Sequence, residues 1–314
     1  GIRAGIVRLV GSEMCIRDRR KPGKVTAESP MRYRRGAEIG RNGAGGTALT
    51  GALRATALDA AGNWYLGGDD GVFRFDARGS SQGSWSTAQP VWSLGIDAGG
   101  RVWVGEAGQI EIFDSSGDRL DLWRDETHFA LVTALGFGGT DTFVADAGSR
   151  WIHRFDAQRL LVNHIGDRHR KGGFHIPNGV VDFAIDLDET VVVANPGMHR
   201  VERYKANGES LGHFGQFGQH DPSGFPGCCN PTNIALGPAG EVIVSEKAGP
   251  RVKVYDPQGQ LLSVVTAADD FAPECKNMDL VVTPEGHIGV VDPVESVVVV
   301  FEAQAANGPS EVTS

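Results

Sequence analysis

Apolar and polar residues alternate along most of this chain in runs of four to six. Six of these runs stop at an aromatic followed by a polar turn: Phe75-Asp76, Phe113-Asp114, Phe155-Asp156, Tyr204-Lys205, Tyr255-Asp256 and Phe301-Glu302. Strict alternation over that length is the pattern of a half-buried strand. The successive aromatics lie 38, 42, 49, 51 and 46 residues apart, the period of a four-stranded repeat unit rather than of a helical array. Upstream of each aromatic lies a second alternating run, beginning at Ala57-Leu58, Leu94-Gly95-Ile96, Ala134-Leu135, Phe183-Ala184-Ile185, Ala235-Leu236 and Leu280-Val281-Val282. Each unit reads as an inner strand, a Gly or Asp turn, a second strand, a loop and a third strand. Antiparallel neighbours joined by such short turns form a meander.

One such meander has two open edges and too little core of its own, and six arranged radially bury each other's faces. The expected fold is therefore all-β: a six-bladed β-propeller of four-stranded antiparallel blades, spanning residues 30–304 as one domain. Closure requires the first and last units to share strands, so residues 31–39 are expected to supply the outer strand of the last blade. Residues 20–29 read as a linker, and residues 305–314, poor in apolar side chains, as a disordered tail. Residues 9–19 resemble one translated reading frame of a transposase adapter used in sequencing libraries, so residues 1–19 are expected to be non-native and are set aside.

Residues 1–24 carry seven bases and two acids, and leaving them out moves the formal net charge from −9 to −14. A chain this acidic has no general attraction for nucleic acid or anionic lipid. Its one basic stretch, residues 164–171, reads as a solvated loop. No apolar run is long enough to span a bilayer as a helix.

The residues Phe214-Gly215, Gly218, Gly224-Phe225, Pro231, Ile234-Ala235, Val242-Ile243-Val244-Ser245-Glu246 and Arg251-Val252-Lys253-Val254-Tyr255-Asp256 resemble the NHL-repeat pattern. So do Phe143-Val144-Ala145-Asp146-Ala147-Gly148-Ser149-Arg150. The similarity is clear in units three to five and degraded in the others. It implies a six-bladed propeller and nothing narrower, because the family includes binding scaffolds and a few enzymes.

Inner strands of a propeller line its channel. The position near their start holds Ala55, Trp92, Thr133, Asp182, Asn233 and Asp279, so Trp92, Thr133, Asp182, Asn233 and Asp279 are the expected ligand-binding residues of one channel mouth. The oxygens of Asp182, Asn233 and Asp279 suit a hard divalent cation such as calcium; the alternative is that they bind channel water and cap strand ends. Cys229 and Cys275 stand four residues before Asn233 and Asp279, a register that suggests a disulfide from Cys275 to Cys229 or Cys228 and, with it, an extracytoplasmic compartment. A rival reading is a zinc-thiolate site with His175 or His220, though no regular ligand spacing supports it. A reactive adjacent Cys228-Cys229 pair is a third.

Two long loops, residues 167–177 and 216–231, add a loop face with His169, Arg170, His175 and His220. Within them Phe174 and Phe225 read as core plugs. Arg150, Arg200 and Arg251 are expected to pin loops through Asp146, Asn195 and Glu246.

Amidating lyases of the NHL type hold zinc through channel histidines, and no histidine falls at the aligned positions. Lactonases of the gluconolactonase type use Glu, Asn and Asp around a divalent ion, and the Glu has no counterpart. No nucleophile elbow occurs. The expectation is a non-catalytic, monomeric scaffold binding a protein or small-molecule ligand; the alternative is a propeller enzyme of lactonase, hydrolase or lyase type with divalent calcium or zinc at the mouth.

Overall fold

The computed structural model describes residues 33–41, 48–166, 173–247, 249–266 and 269–304. The segments 1–19, 20–29 and 305–314, together with His169 and Arg170, lie outside the described residues. The described chain forms six four-stranded antiparallel sheets, five of them in strict sequence order. Their inner strands follow one another around a ring: Leu53–Leu58, Ser93–Ile96, Val132–Gly138, Asp182–Ile185, Ile234–Leu236 and Leu280–Val282, with the last beside the first. This is a six-bladed β-propeller.

The sixth sheet closes the ring as expected. Its outer strand is Tyr33–Ile39, paired antiparallel with Val297–Ala303 so that Arg35 faces Phe301 and Ile39 faces Val298. The pairing ties a segment near one end of the described chain to one near the other, and it removes an open edge that could recruit another strand.

The repeat follows from two local devices. Five of the third strands end on their aromatic, the sixth running two residues past Phe301 to Ala303, and Phe75, Phe113, Phe155, Tyr204, Tyr255 and Phe301 are all buried between blades. The following Asp closes the turn with its own carboxylate: Asp76 Oδ1 accepts from the amides of Arg78 and Ser80, and Asp114, Asp156 and Asp256 repeat the arrangement. A carboxylate that accepts two amides substitutes for a missing backbone partner, which is why Asp recurs there. Blade 4 has Lys205 instead, and Asn207 Oδ1 takes over by accepting from Glu209 N at 2.9 Å.

Phe174 and Phe225 are fully buried, against Tyr204 and Tyr255 respectively. Of the three arginine pins, Arg251 forms as expected, with Nε donating to Glu246 Oε2 at 2.8 Å. Arg200 turns instead to Glu202 at 2.6 Å, which also receives the Asn195 amide. Arg150 adopts a left-handed backbone, and Asp146 caps the amides of Ala130, Leu131 and Ser149.

A further pin was invisible in the pattern. Lys253 lies wholly inside, 2.7 Å from Glu246 Oε1, and donates to Gly224 O at 2.7 Å. Tyr255 Oη donates to Ser223 O at 2.9 Å. The third strand of blade 5 thus holds the long 216–231 loop from below.

Candidate functional site

The channel is ringed by short polar side chains, and in four of the six blades one of them reaches to the next blade. Ser93 Oγ donates to Val132 O at 3.0 Å, and Thr133 Oγ1 donates to Val181 O at 2.7 Å. Asp182 accepts from Phe183 N and from Ile234 N of blade 5, both at 2.9 Å. Asp279 accepts from Leu280 N at 2.9 Å and from Thr56 N of blade 1 at 2.8 Å. Four of these six bonds cross a blade boundary, and the two carboxylates satisfy amides of their own and the next blade.

They also correct the register. Ser93 makes in blade 2 the contact that Thr133 makes in blade 3, so Ser93 is the equivalent residue and Trp92 lies one position earlier. Trp92 serves otherwise: the Arg54 guanidinium sits 4.8 Å from its ring centroid.

The ring divides the channel into two hollows. The inner one, of about 360 Å³, is bounded by Thr56, Ser93, Thr133, Asp182 and Asp279 together with apolar residues such as Phe137 and Phe183. The other, of about 250 Å³, opens on the side where the inner strands begin and is lined by Arg54, Trp92, Thr133, Asn233, Lys276 and Asp279 among others. Thr133 and Asp279 border both, marking the waist. Thr133, Asp182, Asn233 and Asp279 are therefore gathered around one channel, with Trp92 at its mouth.

Burial pushes Asp182 well above the usual carboxylate range, and the Asp279 charge adds to the effect, while the Ile234 and Phe183 amides and the Asn233 side chain oppose it. Burial likewise raises Asp279, to about 6. Two carboxyls in one desolvated channel cannot both ionise cheaply, so Asp182 keeps its proton in preference.

The mouth contains polar atoms that the protein does not satisfy. Arg54 Nη2 pairs with Asp69 Oδ1 at 2.6 Å, yet its Nη1 is buried without a partner. Asn233 Oδ1 is in the same condition, as are Thr56 Oγ1 at the waist and Asn178 Oδ1. An unmet donor, an unmet acceptor and the Trp92 ring thus line one hollow, with Lys276 on its rim. Arg54 and Lys276 were missed in the sequence. The only signal was that Arg54 directly precedes the inner-strand position of blade 1.

The remaining candidates lie elsewhere. His175 and His220 are exposed and line neither hollow; His175 Nδ1 lies 3.3 Å from Gly197 O. The expected disulfide from Cys275 to Cys229 or Cys228 is not formed. Cys275 is packed in the apolar core with Leu280 and Met278, and its Sγ faces Asp292 Oδ1 at 3.4 Å. Burial and the Asp292 carboxylate push this thiol up to about 12. The equal spacing from Asn233 and Asp279 placed Cys229 and Cys275 at equivalent points along the chain, but Cys275 turns inward. Cys229 Sγ instead meets Cys228 Sγ. Among the described residues no three His, Cys, Asp or Glu side chains stand together to hold a metal ion.

Two titratable clusters outside the channel also escaped the sequence. His153 and His164 are cross-strand neighbours in blade 3 with their Nδ1 atoms 2.8 Å apart, and His153 Nε2 lies 3.0 Å from Ser149 Oγ. Burial, then the neighbouring His164 and His128, lower His153 to about 4. In blade 2, burial raises Glu106 to about 7, with Glu111 adding to the rise.

No family model matches this chain, and no curated protein does. Solved structures similar to it are propellers. A structural-genomics protein of unknown function from Bacteroides thetaiotaomicron superposes with a TM-score of 0.65 at 13% identity, over 84% of this chain and 72% of that one. The WD40 β-propeller domain of Doa1 gives 0.56 at 14%, over 81% of each chain. Virginiamycin B lyase from Staphylococcus aureus gives 0.57 at 10%, over 86% of this chain and 99% of the lyase. At these identities the likeness is one of fold.

Proposed function

We propose that this chain is a non-catalytic propeller of the NHL type whose channel mouth binds a small polar ligand with an anionic group. The observation that carries the reading is the pair of buried, unmatched atoms, Arg54 Nη1 and Asn233 Oδ1, on the wall of one hollow of about 250 Å³ beside Trp92. A buried polar atom left without a partner costs about 1–3 kcal/mol. A ligand offering an acceptor to Arg54 and a donor to Asn233 recovers that cost, and an anionic group gains from Lys276 as well. The hollow, at about 250 Å³, falls just below the roughly 300–1,000 Å³ of ordinary ligand pockets, which favours a very small molecule over a folded partner. The Ser93 and Thr133 hydroxyls are engaged with the next blade's carbonyls rather than poised as nucleophiles, which supports binding over catalysis. The test is a thermal-shift screen of small carboxylates and phosphate esters. A hit should stabilise the protein by about 2.7 kcal/mol at a hundredfold excess over Kd. That stabilisation should fall to about 1.4 kcal/mol or less in Arg54→Ala at the same ligand concentration, and a hit unaffected by Arg54→Ala would place the site elsewhere.

A second reading draws on the waist. Thr56 Oγ1 and Asn233 Oδ1 stand unmatched near the two raised carboxyls, and these four oxygen-bearing side chains would hold a divalent cation such as calcium serving a lactonase, hydrolase or lyase. It requires stoichiometric ion uptake that Asp182→Asn with Asp279→Asn abolishes.

A further inference from the structure

Cys228 and Cys229 are consecutive, and Cys229 Sγ donates to Cys228 Sγ at 3.2 Å. Their exposures differ sharply: Cys228 is exposed, while Cys229 is 2% exposed. The dipeptide sits in a short bend that Asn230 draws together, its Nδ2 donating to Pro226 O at 2.7 Å and its Oδ1 accepting from Lys247 N at 2.8 Å. Asn230 itself is wholly buried. The two sulfurs are thus held against each other by a fixed backbone, one of them reachable from solvent. A covalent S–S bond requires roughly 1.1 Å of further approach. Cys275, by contrast, is sealed in the core with its sulfur facing Asp292.

We propose that Cys228-Cys229 is a peroxide-sensitive modification site that closes into a disulfide between adjacent residues. The exposed Cys228 sulfur, as thiolate, attacks one oxygen of a hydroperoxide; the O–O bond breaks, the other oxygen leaves as water or an alcohol, and Cys228 becomes a sulfenic acid. Cys229 sulfur then attacks Cys228 sulfur, the S–O bond breaks, and the sulfenic oxygen departs as water with the thiol proton. In sum two thiols are oxidised by two electrons and one peroxide is reduced. Adjacent Cα atoms stand about 3.8 Å apart across a trans peptide, below the usual range for bridged cysteines. The resulting ring is therefore strained and readily reduced by small thiols, which makes the modification reversible.

The experiment exposes the native protein to one equivalent of hydrogen peroxide, blocks remaining thiols, and maps the peptides by mass. The expected product is loss of two hydrogens on the peptide holding both residues, reversed by millimolar glutathione, with Cys275 still alkylatable only after denaturation. In Cys229→Ser, Cys228 should stop at a sulfenic acid that dimedone traps; in Cys228→Ser, Cys229 should be inert in the folded protein. A sulfinic acid on Cys228 with Cys229 untouched, a bridge to Cys275, an intermolecular crosslink, or unchanged peroxide consumption in Cys228→Ser would each overturn the proposal.

Discussion

Replacing Lys253 with Met tests whether the 216–231 loop is held from below. The substitution keeps the apolar stem, so packing changes little, and removes only the ammonium. That group lies 2.7 Å from Glu246 Oε1 and 2.7 Å from Gly224 O, at zero exposure for both Lys253 and Glu246. Two losses follow. Gly224 O becomes a buried acceptor without a partner, worth about 1–3 kcal/mol. Glu246 loses one of two cationic partners but keeps Arg251 at 2.7 Å, so it does not suffer the full 3–5 kcal/mol of an uncompensated buried charge. The expected destabilisation is about 2–4 kcal/mol in urea unfolding, with hydrogen exchange accelerating first at Phe225 N, whose bond to Gln216 O closes the loop. Arg251→Met alone should cost less, because its side chain is 13% exposed and Lys253 still pairs Glu246. A Lys253→Met cost below about 1 kcal/mol, with loop exchange unchanged, would refute the argument, since the contacts would then do no more than offset the cost of burying the ammonium.

Three further outcomes follow from the same structure. Asp279 has a folded pKa raised to about 6 from 3.8, so the native state binds the extra proton between those values. Stability should fall by about 2 kcal/mol on its account as pH climbs from 4 to 6, and Asp279→Asn should make that slope shallower in urea titrations. His153 runs the opposite way: its folded pKa is lowered from 6.5 to about 4, so about 3 kcal/mol present above pH 6.5 is lost as pH falls towards 4, and His153→Phe should flatten that limb. Deleting residues 33–39 should leave the strand Val297–Ala303 as an open edge, giving concentration-dependent association by light scattering; a monomeric, equally stable product would contradict the closing role of that strand.

The architecture was legible because its repeat is written in residues with one job each. Phe75, Phe155 and Tyr255 fill the same interblade space, and Asp76, Asp156 and Asp256 close the same turn, so local chemistry and global topology coincide. Closure by residues 33–39 was legible for the same reason: six units with one strand short require a donor. Thr133, Asp182, Asn233 and Asp279 could be placed on the channel by alignment alone. Trp92 was misplaced by one residue because counting back from the apolar run Leu94-Gly95-Ile96 fell one residue out of step with the strand, whose pairing starts at Ser93 with Gly105. Arg54 and Lys276 were illegible, since a lone cation before a strand looks like any solvated surface residue until the channel brings it beside an unmatched amide. Cys275 misled because sequence spacing fixes position along a blade but not which way the side chain turns. The His153-His164 pair depends on cross-strand register, which spacing from Phe155 could have suggested only once the fourth strand was drawn.

The most direct test of the channel-mouth account is calorimetric titration of the best small anionic ligand from the screen into wild-type protein, Arg54→Ala and Asn233→Ala. Both variants are expected to lose at least about tenfold in affinity while the fold, read by circular dichroism, stays intact, because each removes one side of a matched buried contact worth at least about 1.4 kcal/mol. Wild-type affinity retained in both variants would contradict the account outright.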